Sequence, residues 1–468
     1  MNDLHWLTAT EIGAAYASGR TAPVELVGAL LERIALVEPQ INAFIRIDAE
    51  AALDAARLAE KELRAGRRIG PLHGVPVGIK DIIDIAGLPT TCHSVIRKDS
   101  VASADAAVVS RLRAAGAIFL GKTSLHEFAI GGPVHDLPYP PARNPWNRLH
   151  HPGGSSSGSG AAVASGMLPV ALGTDTGGSI RNPAGHCGIV GLKPTYDLVP
   201  RHGVFPLSTT LDHVGPMARS VADLALMMDS LTASGTREAP RSYGTDLARG
   251  VRGMRIGLVR HFHETDLVAD PEVAAAIDEV ARVLCQEGAV VRDISLPRLH
   301  EFSTVQRVIF HVESWAVHAR WLAERPQDYA AVSRRKLIPG ALIPADHYVL
   351  AQAQRRRLAD LVEDSFRDID ILLAANSLDP ASEIDDEAEC TRTYPRHARS
   401  PFNLTGHPAL AVMAGVSRHG LPLSVQFIGR AHDESTVLRA GAAYERAAGT
   451  GLRHPPLTGL PQARTELA

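Results

Sequence analysis

The chain alternates short apolar runs with amphipathic stretches of helical period. Aliphatic runs lie at Val75 to Ile79, Ala117 to Leu120, Leu168 to Leu172, Ile256 to Val259, Ile369 to Ala374, Ala409 to Met413 and Leu423 to Ile428. Runs this short, bounded by glycine, proline or polar residues, predict buried strands. Between them the apolar positions recur every three or four residues. Thr8 and Glu11 have capping-box spacing ahead of a first helix, and Pro23 opens a second whose Val24, Val27, Leu31 and Ile34 share one face. A further helix is predicted from Asp270, with Pro271 at its first position and Gly288 stopping it. Strands and helices in alternation imply an α/β fold with a central sheet covered by helices. No internal repeat is visible.

Composition narrows the class. With 468 residues, 45% hydrophobic and 21% charged, the chain can bury a large core; length alone would allow roughly two or three domains. A net charge of −3 and a pI near 6.7 give no basic footprint for nucleic acid. The cysteines, at 92, 187, 285 and 390, form no close pair and no C-x-x-C, which suits a reducing compartment. The N-terminal MNDLHWLTATEIGAAYASGR lacks the charged-then-apolar layout of a signal peptide, and no apolar run nears the length of a membrane span. These features predict a cytoplasmic protein with neither a nucleic-acid nor a membrane partner, and they are compatible with a homodimer.

Candidate chemistry concentrates between residues 153 and 195, GGSSSGSGAAVASGMLPVALGTDTGGSIRNPAGHCGIVGLKPT. This stretch is so dense in glycine, serine and small residues that core packing cannot be its main purpose. Asp175-Thr176-Gly177-Gly178-Ser179 follows a strand-like run, so it predicts a tight turn at a strand end. Glycine accepts positive φ without a Cβ clash, which lets successive N–H groups converge into a nest for an oxyanion. A serine at the end of such a nest is placed to attack the carbonyl whose oxygen the nest polarises. Ser155 stands just after Gly153-Gly154, and Lys80 ends the apolar run from Val75. In isolation GGS reads as a turn with an N-capping serine, and Lys80 as a surface lysine closing a strand.

Other templates fit less well. Gly154-Ser155-Ser156-Ser157-Gly158 has the form of a nucleophile elbow, but Arg148-Leu149-His150-His151-Pro152 precedes it where a strand is required. A flexible linker over 153–160 is weakened by the AAVA run that continues it as a helix. Neither a phosphate-binding loop nor a dinucleotide fingerprint is present. Among the 21 histidines no HExxH or paired-cysteine motif occurs, so His150, His151, His261 and His263 read as surface or core imidazoles and no metal is expected.

Together with GVPVGIKDIIDIAGLPTT at 74–91, LRAAGAIFLGKTSLHEFAIGG at 112–132, LDHVGPMARSVADLALMMD at 211–229, FNLTGHPALAVMAG and GLPLSVQFIGR, the small-residue stretch resembles the amidase signature family of serine hydrolases. The resemblance covers most of the chain and weakens between about 260 and 390. It implies a single domain over 1–468 on one large mixed sheet sandwiched between helical layers. Within it lie a helical N-terminal region of about 1–65, a signature core of about 70–230 and a variable substrate-pocket region of about 260–390.

The resemblance also implies a catalytic set of Ser179 as nucleophile, Ser155 as bridging serine after a cis peptide bond, and Lys80 as base. Ser156 is the neighbour most easily confused with Ser155, and only the motif register separates them. Thr176, Gly177, Gly178 and Ser179 match the family's oxyanion donors. Asp175 and Arg181 are expected to hydrogen-bond the turn in place, an exposed ion pair being the ordinary reading of each. Family analogy brings EFAIGG near the site, which makes Phe128, Ile130, Gly131 and Gly132 substrate-binding candidates.

A lysine with its ordinary pKa near 10.4 is protonated at neutral pH, so Lys80 serves as a base only if burial neutralises it. Val75, Val77, Ile79, Ile82, Ile83 and Ile85 can supply that apolar surrounding. The chemistry implied is hydrolysis of a small-molecule amide to a carboxylate and an amine or ammonia, with no metal or organic cofactor. Phe302, Phe310, Trp315, Trp321, Tyr329 and Tyr348 could line a pocket for apolar or aryl amides, or could pack in the core. Carbamates and esters share the carbonyl geometry. The same signature also permits the glutaminase subunit of a tRNA-dependent amidotransferase. Against it, EFAIGGP departs from the EFAMGSS-like pattern of those subunits, and RTYPRHARSPF at 392–402 offers no evident acidic anchor for the glutamine α-amino group. A non-catalytic scaffold is disfavoured because all three catalytic positions are filled.

Overall fold

In the computed structural model, which describes residues 3–232 and 242–457, the apolar runs assemble into one mixed sheet of 11 strands. In chain order these are β1 (Phe44–Ile47), β2 (Pro76–Lys80), β3 (Ile118–Thr123), β4 (Val170–Asp175), β5 (Val190–Lys193), β6 (His213–Ala218), β7 (Arg255–Leu258), β8 (Val290–Asp293), β9 (Ile371–Ala375), β10 (Ala409–Val416) and β11 (Pro422–Ile428). Across the sheet they run β1-β3-β2-β4-β6-β5-β10-β11-β9-β7-β8. Every strand-like run of the sequence lies on one of them.

Helices cover both faces, as period-2 alternation shows at β11. Its Ser424 lies against Gly185 of the helix Arg181–Cys187, while Phe427, an odd number of residues on, packs its ring 6.2 Å from Tyr444 of the helix Glu434–Ala448. The fold is the α/β sandwich that the element order implied. Thr8 and Glu11 close a capping box on the helix Ala9–Ser18, and Asp270 accepts from the Glu272 N–H at the start of the helix Pro271–Gln286. Among the described residues no helix is long and apolar enough to cross a membrane.

Strands that the pattern did not announce are β1, β5, β6 and β8. Residues of β1 and β8 are half-buried to exposed, so no apolar face marks these edge strands. β5 and β6 are interior but carry Gly191, Gly215 and Pro216, residues that read as loop formers.

The parallel segment positions the site. β2 pairs with β4 in parallel through Val77–Val170, Gly78–Ala171 and Ile79–Leu172, so Lys80 at the end of β2 emerges beside Thr174 and Asp175 at the end of β4. Carboxyl ends of parallel strands are where open α/β sheets place their ligands.

Candidate active site

Lys80 is fully buried. Its Nζ lies 2.9 Å from Ser155 Oγ and 2.7 Å from Thr174 Oγ1. Burial lowers its pKa to about 7 against the opposing pull of Asp175 and Asp212, so a large neutral fraction is present at physiological pH. The apolar residues expected around it, Val75, Val77, Ile79, Ile82, Ile83 and Ile85, are all buried. A surface lysine is therefore not what the sequence encodes here.

The loop carrying Ser155 is held by its neighbours. The Gly154–Ser155 peptide bond is cis. Gly154 N–H donates to Asn182 Oδ1 at 2.8 Å, and a Cβ at Gly154 would collide with the His126 ring, which makes glycine obligatory for this approach. Ser156 Oγ bonds the backbone of Thr174, donating to its carbonyl at 3.1 Å and accepting from its N–H at 3.2 Å. Geometry thus separates the two adjacent serines: Ser155 faces Lys80, and Ser156 ties the loop to β4.

Ser179 lies in the turn between β4 and the helix Arg181–Cys187. Its carbonyl accepts from Ser156 N–H at 3.1 Å, which joins the two serine loops. Among the described residues its hydroxyl makes no hydrogen bond, to Ser155 Oγ or to any other group. The turn is braced from below by Asp175. Its carboxylate accepts from the N–H groups of Gly178 at 2.7 Å and Ile180 at 3.1 Å, from Arg181 Nε and Nη2 at 3.1 Å each, and from Asn403 Nδ2 at 2.8 Å. Burial alone would raise this carboxyl, but the Arg181 guanidinium outweighs it and holds Asp175 well below the usual carboxylate range. Both side chains of the pair are wholly inaccessible to solvent, which replaces the exposed ion pair of the ordinary reading. Arg181 also reaches Gln426 Oε1 at 2.7 Å and Asn403 Oδ1 at 2.6 Å.

This bracing revises the donor set. Gly178 N–H points at Asp175, whereas the N–H groups of Thr176, Gly177 and Ser179 take no acceptor among the described residues. Gly178 instead contributes a φ of 123° and the absence of a Cβ, which would collide with the Arg399 side chain.

A cavity of about 270 Å³ opens on this turn, with Gly131, Gly154, Thr176, Gly177, Gly178, Ser179, Leu207 and Phe310 in its wall. It adjoins a larger cavity, of about 820 Å³, that shares Lys336, Tyr394 and His397 and includes Gly132. Gly131 lies in the wall of the smaller cavity and Gly132 in that of the larger. Phe128 and Ile130, expected beside them, are instead buried in the core and line neither cavity. Phe128 packs at ring-centroid distances of 4.5 Å from His318, 5.4 Å from Phe205 and Tyr329, and 6.0 Å from Trp321. The aromatic segment resolves the same way. Phe302 packs against Phe262, Trp321 and Tyr329 join the Phe128 cluster, and Tyr348 donates to Glu313; of the six, Phe310 lines the cavity at Ser179.

Sequence reasoning missed Thr174, Asn182, Asn403, Gln426, Lys336 and Arg399. Asn403 and Gln426 left a signal, each a lone amide in an apolar run, FNL and SVQFI. For Lys336 there was none.

The family model for Amidase matches residues 25–438. The chain belongs to the amidase family. The chain is 38% identical over 488 residues to a glutamyl-tRNA(Gln) amidotransferase subunit of Chloroflexus aggregans, with 98% of this chain and 99% of that protein covered. Among solved structures it resembles a bacterial aryl acylamidase of the amidase signature family, with a TM-score of 0.89, 26% identity and coverage of 98% and 100% of the two chains. It also resembles the peptide amidase of Stenotrophomonas maltophilia, with a TM-score of 0.84, 31% identity and coverage of 96% and 98%.

Proposed function

We propose that this amidase hydrolyses the C–N bond of a linear carboxylic amide through an acyl-enzyme on Ser179. The observation that carries the reading is the buried Lys80 Nζ at 2.9 Å from Ser155 Oγ, with no carboxylate in contact with it among the described residues. Neutral Lys80 accepts the Ser155 proton while Ser155 takes that of Ser179, whose Oγ bonds to the carbonyl carbon. The tetrahedral oxyanion is held by the N–H groups of Thr176, Gly177 and Ser179. Collapse breaks the C–N bond, and the proton returns from Lys80 through Ser155 to the leaving nitrogen. Water repeats the relay and releases the carboxylate. Asp175 and Arg181 hold the turn rigid so that the donors need no reorganisation. Phe310 and Leu207 support an apolar or aryl substituent beside the reacting carbonyl.

A second reading, the glutaminase subunit of a tRNA-dependent amidotransferase, draws on the 38% identity to the Chloroflexus aggregans protein. Among the described residues no Asp or Glu lines the cavity at Ser179, so an acidic partner for the α-ammonium of glutamine would have to come from Asp136, Asp385 or Glu387 in the adjoining cavity. Labelling by a fluorophosphonate probe and amide hydrolysis should both disappear in Ser179→Ala with the fold intact; retained hydrolysis rejects the assignment. Glutaminase activity together with co-purification of a tRNA-binding partner would favour the second reading.

A further inference from the structure

Arg399 is a buried cation at this site with no ion-pair partner among the described residues. The residue is 2% exposed. Nη1 donates to the Asn376 carbonyl at 3.1 Å and to Ser377 Oγ at 2.6 Å. The other edge of the guanidinium is unsatisfied: Nε is buried without a hydrogen-bond partner, and Nη2 takes none among the described residues. Arg181 uses that same Nε–Nη2 edge to grip the Asp175 carboxylate. Asp175, the carboxylate that acts on Arg399 electrostatically, is already committed to Arg181 and Asn403.

Position adds the second half of the case. The Arg399 side chain lies against Gly178, the residue before Ser179, and forms part of the same cavity wall. Burial lowers its pKa to about 9, so it stays charged at neutral pH. Two further cations line the cavity. Lys336 donates to the Gly131 carbonyl, and Arg307 is exposed with a single bond to the Ser303 carbonyl. Among the described residues the wall of this cavity holds no Asp or Glu, while the adjoining cavity that shares Lys336 carries Asp136, Asp385 and Glu387. Buried charges are ordinarily paired, and a guanidinium edge matches a carboxylate in two parallel hydrogen bonds.

Building on the reading of Ser179 as nucleophile, we propose that Arg399, with Lys336, forms a carboxylate-binding subsite, and that the substrate is an amide bearing a free carboxylate on a short acyl chain. The amide carbon then sits over the Thr176–Ser179 turn while the distal carboxylate meets Arg399 at Nη2, Nε being covered by Gly178. Hydrolysis of such a half-amide yields a dicarboxylate and ammonia or an amine.

The test compares the full chain's ammonia release from succinamate and glutaramate with that from their uncharged counterparts butyramide and valeramide. At least one acid amide should exceed its neutral counterpart in kcat/KM by about 100-fold. Arg399→Gln should bring that ratio within about tenfold, Arg399→Lys should keep part of it, and Lys336→Met should lower it by a smaller factor. Equal use of acid and neutral amides by the parent chain, or an unchanged ratio in Arg399→Gln, overturns the subsite. Fluorophosphonate labelling of Ser179 separates the two claims. If Ser179 is not labelled and no amide is cleaved, the hydrolase reading fails, and calorimetric titration with succinate then decides the subsite alone. Binding lost in Arg399→Gln supports it; no binding to the parent chain ends it.

Discussion

Two lysines on adjacent strands, both fully buried, meet opposite fates. Lys122 on β3 lies 2.8 Å from the buried Asp81 carboxylate and 3.1 Å from Thr90 Oγ1. Among the described residues Lys80 on β2, one register step away, meets only hydroxyls, those of Ser155 and Thr174. Burial is common to both, so burial by itself does not make a base. Asp81 gives Lys122 an ion-pair partner that offsets desolvation, whereas at Lys80 burial without such a partner favours the neutral amine. The guanidinium groups repeat the contrast. Arg181 is paired with Asp175 and braces the turn, whereas Arg399 beside it has no carboxylate and faces the cavity.

Removing each lysine in turn tests this division most strongly. Lys80→Met should lower kcat/KM by about 10⁴-fold with no loss of stability. Lys122→Met leaves Asp81 as a lone buried charge, and its cost should appear as about 3–5 kcal/mol in denaturant unfolding. If Lys122→Met unfolds at the parent's denaturant concentration, or Lys80→Met keeps its rate, the distinction collapses.

Titration comes next. Activity should rise about tenfold per pH unit below pH 7 and level off above it, following the neutral fraction of Lys80. The sign for stability follows from the same shift. Between about pH 7 and the ordinary lysine value near 10.5, the unfolded chain binds the proton that the folded chain has released, so stability contributed by this group rises with pH across that window. The slope is at most about 1.4 kcal/mol per pH unit, and Lys80→Met should remove it. A pH–rate profile flat from 5 to 8, as an assay range, would contradict a titrating base.

The smallest effect belongs to Thr174. Thr174→Val removes one of the two hydrogen-bond partners of Lys80 and should lower kcat/KM by roughly threefold to tenfold, the worth of one ordinary hydrogen bond. A loss as large as that of Lys80→Met would mean that Thr174 takes part in the relay itself.

Much of this architecture was legible because its signals are local. The capping box at Thr8, the Pro271 start and the apolar runs of β2, β4 and β11 depend on residues a few positions apart, where period and turn chemistry operate. The strands β5 and β6 escaped because Gly191, Gly215 and Pro216 have the local preferences of loops, and pairing on both sides overrides those preferences. Phe128 was misassigned for a related reason. An aromatic residue beside a glycine pair looks the same in sequence whether it faces a ligand or a core, and its neighbours Phe205, His318, Trp321 and Tyr329 come from distant segments.

By itself the sequence determined the alternation of strands and helices, the glycine turns that carry Ser155 and Ser179, and the placement of Lys80 at a strand end. Those follow from backbone sterics and side-chain period, which act over a few residues. Only the tertiary structure decided which buried cations receive a carboxylate. Asp175 meets Arg181 and Asn403, while Lys80 and Arg399 meet no carboxylate among the described residues, because electrostatic pairing depends on distance in space, and residues remote along the chain set that distance.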